Sequence, residues 1–467
     1  MSGALRAPHR EPTARGEARL GLVATALVVG TFASTIANTL VNVPLAMIVR
    51  DLGAPLRSGA LVVIAFNMLC AVMLPLGGWL GDRFGRRRLF LVSMAGVTIG
   101  AAGAALAPNL PVLVTFRGVQ GVAGALVLPS VLALLTSAAG TARRGRAVSW
   151  WAASNGAGQA AGPTVGGLLA DTLGWRSVFV AIIPFAVFAF VGGLLWVPRS
   201  RAQPVRLEWR GALTLTVGVG LLLTAASAVP PLGPRSPVVW GSGALGVLVL
   251  VVFVLVERRQ ATPFLPPSLL VEPRFARSSV AALCQMFCLT ATLLTVPLYL
   301  ASRSGASAAI AGLVVVALPL AMTLLAPLAG LATERWSPRW ALRWGLLALG
   351  LAELTLAALL MSGQPIGVPL IAAVTAIGAG IAFTQTPATA GAARTAGQAV
   401  GAGLGLFNMM RFVGAALGGA AVAVVLGDAA DGTAGYTTVA AISGAAALLA
   451  LTVTFLGRNP TEERDTA

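Results

Sequence analysis

The feature that most constrains this chain is a succession of apolar stretches, each about 20 residues or longer, recurring almost from end to end. A helix needs about 20 such residues to cross a hydrocarbon core of roughly 30 Å. The strands of a membrane barrel would be about half that length and would alternate in polarity. In lipid every backbone N–H and C=O must be satisfied within the protein, so runs of this length read as spanning helices. Composition excludes the alternative: with 57% apolar residues, 10% charged residues and a mean hydropathy of +0.87, a water-soluble chain could not cover its surface.

Fourteen candidate spans follow. Seven lie near 20–48, 57–80, 88–107, 110–138, 144–170, 177–197 and 210–229, and seven near 236–256, 276–301, 307–333, 340–361, 366–388, 398–427 and 434–457. An even number puts both termini on one side. The first stretch is far longer than the roughly 7–15-residue apolar region of a signal peptide, so it is read as retained rather than cleaved. Cys70, Cys284 and Cys288 fall inside spans and His9 is the only histidine, so there is no zinc-type ligand set and the cysteines read as packing residues.

Every one of the 32 basic residues is arginine, which points to a GC-rich bacterial genome. With the N-terminus in the cytoplasm, the tails, the cytoplasmic connections and the span ends that adjoin them hold 25 of them, the outer connections 5, and 2 lie well inside spans. That is the positive-inside bias, and it predicts a multi-pass protein of the bacterial inner membrane with both termini cytoplasmic. The net charge of +17 therefore does not indicate nucleic acid, because the arginines are dispersed over short loops.

After the second span comes Gly78-Trp79-Leu80-Gly81-Asp82-Arg83-Phe84-Gly85-Arg86-Arg87-Arg88, which resembles motif A of the major facilitator superfamily. Gly78 permits close helix approach, Gly85 a tight turn, and Asp82 sits among arginines able to pair with it. Gly330-Leu331-Ala332-Thr333-Glu334-Arg335 echoes this segment at constant offset, as in transporters built from repeats. The echo follows span 10, so spans 7 and 8 separate two halves. Arg117-Gly118-Val119-Gln120-Gly121 in span 4 resembles motif B. In span 5, Gly158, Gly162, Pro163, Gly166 and Gly167 resemble motif C, the antiporter mark of that superfamily.

The resemblance extends to its fourteen-helix drug:proton antiporter branch. It implies an all-α polytopic membrane protein of two six-helix bundles plus two extra transmembrane helices. The division is a tail at 1–19, a bundle at 20–197, a linker with helices 7 and 8 at 198–275, a bundle at 276–457 and a tail at 458–467. It also implies proton-coupled efflux by alternating access. The branch carries an acid in its first span where Ile36-Ala37-Asn38-Thr39 has Ala37, and Ser149 replaces the first glycine of the longer motif C.

An ionised side chain at the bilayer centre costs about 2.5–3.5 kcal/mol even on insertion scales, which makes Arg117, Glu353 and Arg411 candidates by default. Arg117 has two readings, snorkelling to the interface or a cavity group shared by substrate and proton coupling. Glu353, the only acid well inside a span, reads as the proton carrier or as a tolerated, hydrogen-bonded glutamate on a peripheral helix. Asp82, Arg83 and Arg86, with the motif C residues, read as gating groups.

Ser34, Asn38 and Asn42 are spaced to form one polar stripe on span 1, and Trp151, Asn155 and Gln159 repeat that spacing on span 5. Gln385 and Asn408 extend the candidate substrate lining into the second half, and helix-to-helix hydrogen bonding is the competing reading for each amide. Two arginines against one carboxylate predict neutral or anionic amphiphilic substrates. No cofactor is called for, a proton gradient being the energy source, and a monomer in the lipid bilayer is expected. Gly241-Ser242-Gly243-Ala244-Leu245-Gly246 fits a dinucleotide pattern but follows no strand, and no zinc-protease or phosphate-loop motif occurs, so the chain does not read as an enzyme. An uncoupled facilitator, a metabolite importer and a non-transporting sensor remain alternatives on the same fold.

Overall fold

The computed structural model describes residues 14–139, 144–199, 208–260, 269, 272–363, 367–395, 400–428 and 433–455. Most of both tails, and much of the Pro/Arg-rich connections on either side of the inserted helices, lie outside the described residues. The described elements are all helical. They are α1 (Ala14–Thr39), α2 (Leu45–Asp51), α3 (Leu56–Gly59), α4 (Leu61–Phe84), α5 (Arg86–Ala105), α6 (Leu110–Ala139), α7 (Arg144–Leu173), α8 (Arg176–Val180) and α9 (Ile182–Leu195). There follow α10 (Trp209–Leu232), α11 (Pro237–Glu257), α12 (Pro273–Arg303), α13 (Ala308–Val315), α14 (Ala317–Trp336), α15 (Pro338–Met361), α16 (Val368–Thr395), α17 (Val400–Asp428) and α18 (Ala434–Val453).

Thirteen helices among the described residues are long and apolar enough to cross a bilayer, with α8–α9 and α13–α14 each acting as one. The fourteenth expected span is α7. At 30 residues it is about 45 Å long, ample for the hydrocarbon core. Trp150, Trp151, Ser154, Asn155 and Gln159 make it too polar to face lipid on all sides. It does not have to, because α1, α6, α13 and α14 pack around it. Polarity in a spanning helix is tolerated where neighbouring protein replaces lipid.

One expected boundary is corrected. Span 1 does not continue to residue 48: α1 ends at Thr39, residues 40–44 turn, and α2 begins at Leu45. Pro44 is the cause: in a continuing helix it would have no N–H to give the Leu40 carbonyl and its ring would clash there, and it also disfavours helical backbone at residue 43. Asn42 therefore leaves the stripe that begins with Ser34 and Asn38. It is buried in the turn, with its backbone N–H donating to Thr39 O at 3.2 Å.

Several helix starts are legible as a capping residue followed by proline. Ser236-Pro237, Glu272-Pro273 and Ser337-Pro338 open α11, α12 and α15, each with the capping side chain accepting from a backbone N–H of the first turn. The inserted pair sits at the edge. α10 lies against α4 and α17, and α11 packs on α10. Little of α11 is buried, so Val247, Leu248, Val251 and Leu255 are left to lipid.

The repeat is written into the backbone. α4 ends at Gly85 with φ +90°, and α14 ends at Ser337 with φ +83°, at the same offset that relates Gly78 to Gly330. Each turn leads into a helix whose arginine reaches the final carbonyls of the last helix in its own half. Arg87 donates to Gly193 O (3.0 Å) and Leu194 O, and Arg339 to Thr454 O (3.0 Å) and Phe455 O (3.2 Å). These carbonyls have no intrahelical donor, so a cation is the favoured partner.

Candidate transport site and gates

Motif B is a packing device that ends on an arginine. Gly121 brings α6 against the Phe66 backbone of α4, where a Cβ would overlap the Phe66 carbonyl, and Gly118 lies over Leu69. That approach carries Arg117 into the junction of α1, α4 and α6, where it is fully buried. Its Nε donates to Val62 O (3.0 Å) and its Nη1 to Ala37 O (2.6 Å) and Gln120 Oε1 (2.9 Å). The Phe66 ring lies 4.7 Å from the guanidinium carbon. Because α1 stops at Thr39, the carbonyls of its last turn lack helical donors, and Arg117 serves the one at Ala37. The arginine does not snorkel.

Motif C has two faces. Gly158, Gly162 and Gly166 face α1, where added Cβ atoms would press on Thr35, Thr39 and the Leu40 carbonyl. Hydrogen bonds reinforce that contact: Thr35 Oγ1 donates to Asn155 Oδ1 (2.9 Å), Thr39 Oγ1 to Gly158 O (3.2 Å) and Ser154 Oγ to Val28 O (2.6 Å). Pro163 and Gly167 face α13 instead. A Cβ on Gly312 would stand 2.5 Å from Pro163 O, and one on Gly167 would overlap the Ala308 carbonyl.

One turn further along α7, the Asp171 carboxylate accepts from Ala308 N (3.1 Å) and Ala309 N (2.7 Å), capping the start of α13. Anionic oxygen at a helix N-terminus is favourable. The sequence reading missed Asp171. Its signal was an acid shortly after the motif C glycines, together with Ser307 before α13, and neither reveals the pairing without the fold. Deeper in, Gly156 lies against Thr323 of α14, so α7 joins the two halves along much of its length.

At the opposite end, Asp82 and Arg86 form an ion pair at 2.5 Å, and Arg86 Nη1 also donates to Pro129 O (3.3 Å). Gly81 is buried against the Arg86 side chain, whereas Arg83 is exposed. The second half keeps the turn and loses the pair, because Pro338 stands where Arg86 stands in the first half, opposite Glu334.

Among the second-half candidates, Gln285 Nε2 donates to Gln385 Oε1 at 3.3 Å, linking α12 to α16. Arg411 Nη1 donates to Asn408 Oδ1 (3.2 Å), while Asn408 Nδ2 is anchored on Leu404 O (2.9 Å). Glu353, buried on α15, accepts from Thr292 Oγ1 of α12 at 2.8 Å. Trp151, Gln159 and Asn38 are half-buried on α7 and α1.

Comparison with known proteins agrees with this architecture. A model described as Major Facilitator Superfamily matches residues 27–270 and 278–467. Multidrug resistance protein Stp of Mycobacterium tuberculosis is 31% identical over 415 residues, covering 87% of this chain and 75% of that protein. The tetracenomycin C resistance and export protein of Streptomyces glaucescens is 31% identical over 324 residues, 69% of this chain and 60% of its own. The methylenomycin A resistance protein of Bacillus subtilis is 31% identical over 287 residues, 61% of this chain and 62% of its own. With its helical spans, its repeated turn and arginine clamp, and a family match over nearly its whole length, this chain belongs to the Major Facilitator Superfamily and is a multi-pass membrane transporter.

Proposed function

We propose that this transporter exports small amphiphilic molecules, neutral or anionic, by alternating access of two six-helix bundles, with a proton moving the opposite way. The observation that carries the reading is the seal between α7 and α13. Gly312 fits against Pro163 O, and Asp171 caps α13 across the divide between the halves. A close-packed contact with capping hydrogen bonds is a two-position element that can form and part as a unit. The arginine bias orients the chain with both termini in the cytoplasm, which puts this seal outside and Asp82–Arg86 at the cytoplasmic end. The names of the relatives, which include multidrug resistance and antibiotic resistance and export, support outward transport of such compounds.

In this reading Asn38, Trp151, Asn155 and Gln159 line the path from the first half, and Gln385, Asn408 and Arg411 from the second. Asp82, Arg83 and Arg86 with the motif C residues gate it, and Glu353 carries the proton with Thr292 as its hydrogen-bond partner. A second reading, uncoupled flux, is favoured by one observation: Arg117 is met at position 37 by a carbonyl rather than a carboxylate. Flux in vesicles separates the two. Export driven by a pH gradient, abolished by a protonophore and lost in Glu353→Gln, supports proton coupling. Export indifferent to both supports the facilitator, and no flux over a broad panel of amphiphiles removes the transport reading.

A further inference from the structure

Arg117 and Arg411 lie well inside spans, and their surroundings differ. Among the described residues, ion pairs join Asp82 to Arg86 and Asp51 to Arg176 at the ends of the bundle, and neither Arg117 nor Arg411 is paired with a described carboxylate. Although its Nη2 has no partner, Arg117 is well served, by two backbone carbonyls, a glutamine oxygen and an aromatic face. Arg411 is not. Its partners are the Asn408 amide oxygen at 3.2 Å and the thioether of Met286 at 3.6 Å, both uncharged, and its Nε has no partner. A guanidinium deep in a membrane protein with one neutral amide and one weak sulfur acceptor is under-compensated.

Its position suits a ligand. On α17, Phe412 and Gly419 meet α4 of the first half, while Gly414 and Gly418 lie against the α12 backbone of the second. At 100° per residue, Asn408 and Arg411 leave the helix between those two faces. Arg411 is therefore placed where the halves adjoin, is partly exposed, and is aimed by an asparagine itself anchored on Leu404 O. Transporters of this architecture bind substrate between their halves.

We propose that Arg411 is the anion-binding group of the transport site, and that the preferred substrate is an amphiphile bearing one carboxylate. The planar fork of the guanidinium matches a carboxylate in two parallel hydrogen bonds, and the charge of the substrate supplies the counter-ion that none of the described residues provides. The proposal rests on the export reading for its direction of travel only, because binding is measured without transport.

The test uses the full-length protein with three matched probes: 2-naphthoate, 2-naphthamide and 2-naphthylmethylammonium. Binding is followed by thermal stabilisation in detergent and flux in vesicles. Naphthoate is expected to bind roughly tenfold or more tightly than the amide, in keeping with charge-assisted over neutral pairing. Arg411→Gln should bring the two within about twofold, and Arg411→Lys, which keeps charge without the fork, should fall between. In the wild type the preference should vanish as pH falls below the pKa of the probe's own carboxyl, a check that needs no variant. Acid preference surviving in Arg411→Gln, or ammonium binding best, overturns the proposal. Arg411-dependent naphthoate binding without outward flux upholds the site and removes the export reading. Outward flux of the amide or ammonium with no Arg411-dependent acid binding does the reverse.

Discussion

Replacing Gly312 by alanine isolates the contact between the halves. Its Cβ would stand 2.5 Å from Pro163 O, where ordinary carbon–oxygen contact lies near 3.3–3.6 Å, so α13 must withdraw from α7 by roughly 0.8–1.1 Å. The Cβ is fixed by the backbone that carries it and its partner is a backbone oxygen, so no rotamer change relieves the clash. Overpacking of this size costs about 1–3 kcal/mol, and in a protein that closes and opens at this seal the cost falls on the closed state alone. The sealed population should drop about 5- to 150-fold relative to the open one.

Gly166→Ala is the control. It collides with the Leu40 carbonyl, but α1 and α7 belong to the same half, so opening the seal does not relieve it. It should lower the melting temperature and leave the equilibrium between states unchanged. The readout is a single cysteine at Asn38, half-buried on α1, in a background with Cys70, Cys284 and Cys288 replaced. A membrane-impermeant maleimide is added from the side of the seal. Gly312→Ala should label about fivefold faster or more, and Gly166→Ala at the parental rate. Parental labelling in Gly312→Ala, or faster labelling in Gly166→Ala, refutes the assignment of the two faces of α7.

Two further outcomes are expected. Ser337→Gly should stabilise the protein by about 0.7–1.7 kcal/mol in a thermal melt. Relief of a non-glycine residue at φ +83° is worth about 1–2 kcal/mol, against a few tenths for the weak cap at Trp340 N (3.5 Å). Beyond the end of α1, Asp51 accepts from Trp175 Nε1 (2.7 Å) and Arg176 (2.9 Å), and these bonds, the tryptophan's first, hold its carboxyl below the usual range. Its contribution is therefore complete above the unfolded value of about 3.9 and lost as pH falls through the lower native one. Asp51→Asn should melt below the wild type at pH 7, with the gap closing in acid. A gap constant down to pH 3 would contradict that assignment.

The helical spans were legible because a bilayer admits few spanning structures, so length and apolarity alone mark them out. α7 shows where that rule stops: its buried face is covered by protein, and its composition no longer resembles a lipid-facing helix. Asn42 shows a second limit. Spacing by four residues implies a stripe only while the helix continues, and Pro44 ends it at Thr39.

The sequence by itself determined the spans, the motifs in their order and the repeat that returns at Gly330. Each depends on local backbone chemistry or on the solvent. Only the tertiary structure decided that adjacent glycines 166 and 167 serve different partners, one holding a half together and one sealing it to the other. It alone placed Arg117 on the carbonyl of Ala37, Asp171 on the start of α13, and Arg411 beside an amide and a thioether. Helical periodicity sorts residues onto faces, but what a face meets depends on how distant helices pack, and no local pattern carries that information.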